Sequence, residues 1–95
     1  MNKPNLSIVI PTYNERENIS KMLGKLRKTL RNVKYEIIFV DDNSPDGTSD
    51  EVKFFVQKTP NIHLIHRIGR RGLSGAIIDG VFASNSNLVA VMDCD

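Results

Sequence analysis

The sequence predicts an α/β fold in which a parallel sheet is built in the order β-α-β-α-β-α-β. Three observations carry that expectation. Short apolar, β-branched runs recur at residues 6–10, 35–40, 62–66 and 88–92. The segments between them place apolar residues at helical spacing. The runs themselves are continuously apolar, as strands are when helices cover both faces of a sheet. Strands alternating with helices in this way imply parallel pairing and right-handed crossovers, a Rossmann-like arrangement.

Each element has its own signal. The first strand is a Leu-Ser-Ile-Val-Ile run that Pro11 is expected to end. In the following helix Ile19, Met22, Leu23, Leu26, Leu30 and Val33 form one apolar stripe. Asn14 reads as its N-cap, with Glu15 and Glu17 in the first turn, where the helix dipole favours acids. The second strand, 35–40, runs into Asp41-Asp42-Asn43-Ser44-Pro45-Asp46-Gly47, which is dense in turn-forming residues. Thr48 and Glu51 have capping-box spacing, so a second helix should begin there. Val52, Phe55 and Val56 form its apolar side, and Pro60 lies just past its end. After the third strand comes a basic, glycine-containing loop, residues 67–72. Leu73, Ala76, Ile77, Gly80 and Val81 then suggest a third helix with a close-packing face. The fourth strand runs into Asp93-Cys94-Asp95.

The bulk properties bound the function. At 95 residues the prior is one domain, 1–95, with a modest core. A composition of 40% hydrophobic and 25% charged residues is that of an ordinary globular protein. A formal net charge of +2 is too small to argue for a nucleic-acid partner. The basic residues Lys21, Lys25, Arg27, Lys28, Arg31 and Lys34 are nonetheless concentrated in one stretch. That stretch reads as a solvated helix face or as a surface for anionic lipid headgroups. The single cysteine, Cys94, allows no internal disulfide and fits a reducing compartment. No apolar run has the length of a membrane span, and no apolar signal core precedes the first strand. The expected location is therefore the cytoplasm, with peripheral contact at the cytoplasmic membrane face as an option.

In an open parallel sheet, ligands bind beyond the carboxyl ends of the strands. Four polar clusters fall there: Pro11-Thr12-Tyr13-Asn14-Glu15, residues 41–47, residues 67–75, and Asp93-Cys94-Asp95. Asp93 and Asp95 are two apart in an extended segment, so their carboxylates can converge on a hard divalent ion, Mg²⁺ or Mn²⁺. The spacing alone equally suits a pair of exposed loop acids. Asp41 and Asp42 could accept from a base or ribose, or could serve only the turn. Tyr13 could stack on a base or be a half-buried loop tyrosine, and Glu15 could accept from ribose or base or serve the helix dipole. Arg67, Arg70 and Arg71, with Gly69, Gly72 and Gly75, form a basic loop opening a helix, a combination that suits phosphate and equally suits an ordinary basic loop with glycine turns. There is no Walker loop and no dinucleotide fingerprint after the first strand. His63 and His66 are expected to be solvent-facing or partly buried rather than metal ligands. Cys94, between two acids that would raise its pKa, is expected to be a packing residue.

Taken together and in order, four motifs resemble family-two glycosyltransferases of GT-A fold. They are Ile8-Val9-Ile10-Pro11-Thr12-Tyr13-Asn14-Glu15, Val40-Asp41-Asp42-Asn43-Ser44-Pro45-Asp46-Gly47-Thr48, Arg70-Arg71-Gly72-Leu73-Ser74-Gly75-Ala76 and Val91-Met92-Asp93-Cys94-Asp95. The Ser44-Pro45-Asp46-Gly47-Thr48 stretch resembles in particular the dolichol- and polyprenol-phosphate mannosyltransferases. The resemblance covers the chain from Leu6 onward and implies the N-terminal, nucleotide-binding half of a GT-A fold. It implies that Pro11, Tyr13 and Glu15 line a nucleotide pocket, and that Asp42 holds the base or its ribose. Arg70 and Gly72 would lie in a loop near the donor, and Asp93 and Asp95 would hold Mg²⁺ or Mn²⁺ on the diphosphate. The implied donor is a nucleotide-sugar, GDP-mannose first, and the implied acceptor a polyprenol (dolichol) phosphate. Cys94 departs from the small residue, often alanine, that such enzymes carry between the two acids. A chain stopping at this motif would lack the acceptor half. Two other readings therefore stand beside the first: a non-catalytic nucleotide-binding module, and a transferase using a UDP-sugar and another acceptor.

Overall fold

The computed structural model describes residues 3–69 and 72–94. Its elements are β1 (Leu6–Thr12), a 3-10 turn (Arg16–Asn18), α1 (Ile19–Thr29), β2 (Tyr35–Asp41), α2 (Thr48–Lys58), β3 (Ile62–His66), α3 (Leu73–Ala83) and β4 (Val89–Val91). The four strands form one sheet in the order β3-β2-β1-β4, and every pair is parallel. The predicted alternation and direction are therefore those observed.

Two layers of core lie on the two faces of the sheet. Ile8, Ile10, Ile37, Phe39 and Ile62 pack against Ile19, Met22, Leu23 and Leu26 of α1 and Val52 of α2. On the other face Val9, Ile38 and Val40 pack against Ala76 of α3. Alternate residues of each strand thus enter opposite cores, which is why the strands read as apolar without a break. Gly80 lets α3 lie close to the sheet: a Cβ there would stand 2.4 Å from Val9 Cγ1 and 3.2 Å from Val40 Cγ2.

Several local expectations are corrected. Pro11 does not end β1, which continues to Thr12. Ser7 and Val9 bond toward β4, through Ser7 N–H to the Leu88 carbonyl and Met92 N–H to the Val9 carbonyl. By the same alternation Pro11 faces the β4 side beyond the last β1–β4 rung, Val9–Val91. Its missing N–H is therefore not needed for pairing. Asn14 is not the N-cap of α1. It sits in the left-handed region at φ 57°, and a 3-10 turn precedes the helix. The helix ends at Thr29, so Val33 lies outside it and is exposed. Leu73 and Val81 are also exposed, leaving Ala76 and Gly80 as the buried residues of α3.

Candidate functional site

The carboxyl ends of β1, β2 and β3 meet side by side, because Thr12 pairs with Asp41 and Asp41 with His66. The loops that leave this rim are fastened to one another by side chains. Three consecutive backbone N–H groups of the β1–α1 loop donate to the β2–α2 loop: Asn14 to Ser44 Oγ at 2.9 Å, Glu15 to Thr48 Oγ1 at 3.0 Å, and Arg16 to Asp46 Oδ2 at 3.2 Å. Thr48 is fully buried, and its hydroxyl donates to Asp46 Oδ1. α2 does start at Thr48 as its spacing predicts, but the hydroxyl is committed to this clasp and makes no cap bond. Asp46 Oδ1 instead accepts the Thr48 N–H at 2.9 Å. Desolvation pushes the Asp46 carboxyl up, but hydrogen bonds from the Thr48 side chain and from the backbone N–H of Arg16 and Thr48 outweigh it. The net position is below the ordinary value. Gly47, at φ 90°, makes the turn that allows this geometry.

The two aspartates after β2 part company. Asp41 is completely buried and accepts from Thr12 Oγ1, Ser44 N, Ser44 Oγ and Ser49 Oγ, at 2.8, 3.0, 2.6 and 2.8 Å. Four donors saturate a carboxylate, so Asp41 is a structural hub of the rim. Asp42 turns toward the β3–α3 loop. It accepts from Arg67 Nε at 2.6 Å, from Arg67 Nη2 at 3.4 Å and from the Gly72 N–H at 3.2 Å. Arg67 also donates from Nη1 to Asp79 Oδ2 at 3.1 Å. The hydrogen bond to Asp42, more than offsetting desolvation and aided by Asp79, pushes the guanidinium further up.

The other predicted site residues fall around this framework. Pro11 is half-buried in β1 and Tyr13 is 44% exposed just past its end. Glu15 is half-buried and accepts from Asn18 Nδ2 at 2.9 Å. Gly72 precedes α3 at φ 120°, a conformation that side-chain-bearing residues rarely adopt. Arg70 and Asp95 lie outside the described residues. Asp93 is exposed beyond β4, and continuing the Val9–Val91 register by two residues sets it level with Pro11. Cys94 is 2% exposed and packs in the core, as expected. His63 and His66 are both exposed. Sequence reasoning did not single out Asp79. The signal was available: one acid in the otherwise apolar run Leu-Ser-Gly-Ala-Ile-Ile-Asp-Gly, four residues after Gly75 and so on the same helix face.

The donor set suits a hard divalent ion. Asp93 offers a solvent-facing carboxylate, while the softer Cys94 side chain is buried in the core. Among the described residues no three His, Cys, Asp or Glu side chains converge. An ion at Asp93 would therefore take its remaining oxygens from the ligand, water or Asp95. Two concavities lie away from Asp42 and Tyr13. One of about 370 Å³ is at the amino end of the sheet beside Glu36, His63 and Asn85. The other, about 460 Å³, runs along α1 beside Leu26, Ala90 and Met92 and reaches Asp93.

Comparison with known proteins gives the family and the fold of the chain. The pattern of Glycosyl transferase family 2 matches residues 7–95. The chain belongs to that family. It is 39% identical over 90 residues to a dolichol-phosphate mannosyltransferase of Pyrococcus furiosus, covering 95% of this chain and 25% of that protein. It is 42% identical over 72 residues to an undecaprenyl-phosphate mannosyltransferase of Micrococcus luteus, covering 76% of this chain and 29% of that protein. Among solved structures, it superposes on a mannosyltransferase from Pyrobaculum calidifontis in complex with GDP-Man and Mn²⁺. That match has a TM-score of 0.79 and 27% identity, over 100% of this chain and 28% of the other. A glucosyl-3-phosphoglycerate synthase from Mycobacterium tuberculosis shares the fold, with a TM-score of 0.75 at 20% identity. This member of family 2 thus spans between a quarter and a third of the length of these relatives. Its GT-A architecture is that expected from the four motifs.

Proposed function

We propose that the chain is the donor-binding part of a glycosyltransferase that moves a sugar, mannose first, from GDP-mannose to a polyprenol phosphate. The observation that carries this reading is the rim itself. Exposed Tyr13, half-buried Glu15, the oriented carboxylate of Asp42 and solvent-facing Asp93 all follow strand ends of one parallel sheet. The relatives named as lipid-phosphate mannosyltransferases favour the acceptor class, and the GDP-Man and Mn²⁺ complex favours the donor.

In this reading Tyr13 stacks on the base, and Asp42 accepts a hydrogen bond from the base or ribose. Asp93 and Asp95 hold Mg²⁺ or Mn²⁺ against the diphosphate. When bound, that ion supplies Lewis-acid neutralisation of the leaving nucleoside diphosphate. The acceptor phosphate is already anionic and attacks the anomeric carbon as the carbon–oxygen bond to the diphosphate breaks. One displacement inverts that carbon and requires no strong protein base. Holding the two substrates in line supplies much of the acceleration.

A lipid acceptor calls for a membrane surface, and α1 with the segment that follows it offers a matching charge. Lys21, Lys25, Arg27, Lys28, Arg31 and Lys34 are all exposed, and no acid lies between residues 19 and 34. We assign this basic segment to the anionic cytoplasmic leaflet.

The test of the donor site is calorimetry of this chain with GDP-mannose, GDP and UDP-glucose, in Mn²⁺ and in chelator. Metal-dependent binding that prefers the guanine nucleotides is expected, and Asp93→Asn should remove the metal dependence. A preference for UDP-glucose would reassign the donor. No nucleotide binding by a chain shown to be folded would overturn the donor-site reading.

A further inference from the structure

Arg67 leaves β3 at the rim, yet only 3% of its side chain is exposed. All three of its nitrogens are engaged. Nε and Nη2 grip the two oxygens of Asp42 at 2.6 and 3.4 Å, Nη1 reaches Asp79 Oδ2 at 3.1 Å, and Nη2 also donates to the Gly72 carbonyl at 3.2 Å. The Gly72 N–H returns a bond to Asp42 Oδ2 at 3.2 Å. A carboxylate accepts about four hydrogen bonds. Among the described residues, donors occupy three of these positions on Asp42 and leave one.

Space for this arrangement depends on a missing side chain. A Cβ on Gly75 would stand 2.8 Å from Arg67 Nη1. Gly75 has no positive φ, so neither a turn nor backbone strain explains glycine at this point in α3. Seating the guanidinium does.

We infer that Arg67 is a positioning residue for Asp42, anchored by Asp79 and accommodated by Gly75. It fixes the carboxylate plane so that a single acceptor direction remains for an N–H or O–H of the nucleotide. Arginine suits this role because its planar fork holds two oxygens at once, which a lysine cannot do. The inference rests on Asp42 meeting the nucleotide, as proposed above. It adds which residues set the geometry of that contact and how many donors Asp42 can accept.

Gly75→Ala tests it without deleting a buried charge. Alanine favours a helix, and the atom it displaces is the tip of a flexible side chain, so the fold should tolerate the change. The chain should stay folded, with a melting temperature that falls slightly because better helix propensity only partly offsets the disturbed guanidinium bonds, while the GDP dissociation constant in Mn²⁺ should increase about tenfold, as for losing the alignment of one charged hydrogen bond. Asp79→Asn should weaken GDP binding in the same direction. In an Asp42→Asn background, Gly75→Ala should change the affinity by less than about twofold, because the residue it acts through is already altered. Unchanged GDP affinity in folded Gly75→Ala would overturn the inference. So would an equal loss in both backgrounds, which would mean that the substitution acts elsewhere. Failure of the unaltered, folded chain to bind GDP would be seen before any variant, and would remove the nucleotide reading together with this one.

Discussion

Single atoms decide what each helical glycine does. Gly24 in α1 is exposed, and a Cβ there would meet nothing within 4 Å. Gly24→Ala should therefore raise stability by up to about 1 kcal/mol through helix propensity alone. Gly80 is the opposite case. Its Cβ would press on Val9 Cγ1 and Cγ2 and on Val40 Cγ2, in two residues with no exposure and no room to turn. Gly80→Ala should lower stability by about 1–3 kcal/mol despite better propensity, because overpacking a closed core outweighs it. Urea denaturation of the two variants beside the unaltered chain checks both signs. Gly75 lies between them, against the bonded guanidinium of Arg67. The three are alike in the sequence, and only their neighbours separate them.

At the scale of elements, the amino end of the sheet is held by one buried carboxylate. Glu36 of β2 is 3% exposed and accepts from Ser7 of β1, from the Asn85 N–H at 2.6 Å and from Asn85 Nδ2 at 3.0 Å. His63 of β3 lies 3.3 Å away. It thereby joins three elements and the segment leading into β4. Burial pushes its carboxyl up, but the hydrogen bonds from Ser7 and Asn85, with the charge of His63, outweigh burial and leave it below the ordinary value of 4.5. A carboxyl lower in the folded state adds stability above its unfolded pKa, and that stability is lost as pH falls through the folded pKa. Melting temperature should thus drop as pH falls below about 4.5. Glu36→Gln should be less stable at pH 7 by about 1–3 kcal/mol and should show a shallower acid slope. Some slope will remain, because Asp46 is shifted in the same direction. An acid slope identical in Glu36→Gln would refute the assignment.

Across the whole molecule, charge is segregated. Residues 19–34 carry six cations and no acid, which leaves seven basic and eleven acidic residues for the rest of the chain. The small net charge hides this division. If α1 meets an anionic surface, the chain should sediment with vesicles containing phosphatidylserine and not with neutral ones. Binding should vanish at high salt, because screening shortens the reach of surface charge. Lys25→Gln with Lys28→Gln should weaken it by about thirtyfold, at about 1 kcal/mol for each cation. Equal sedimentation with neutral vesicles would refute the charge argument.

Hydrophobic periodicity by itself determined the alternation of strands and helices, because burial on two faces imposes continuous apolar runs and one-sided helices. It also located the rim, since polar clusters at four strand ends have few other places to go. The spacing of Asp41 and Asp42 could not separate a structural carboxylate from one open to a ligand. That depended on which donors the fold brings to each: Thr12, Ser44 and Ser49 to one, Arg67 and Gly72 to the other. Nor could spacing reveal that Thr48 fastens two loops rather than capping a helix, or that Pro11 lies inside a strand. Asp79, the glycine at 75 and the burial of Arg67 became meaningful only together. Hydrogen bonds between residues far apart in the chain leave no periodic trace. Tertiary structure alone decides which donor reaches which acceptor.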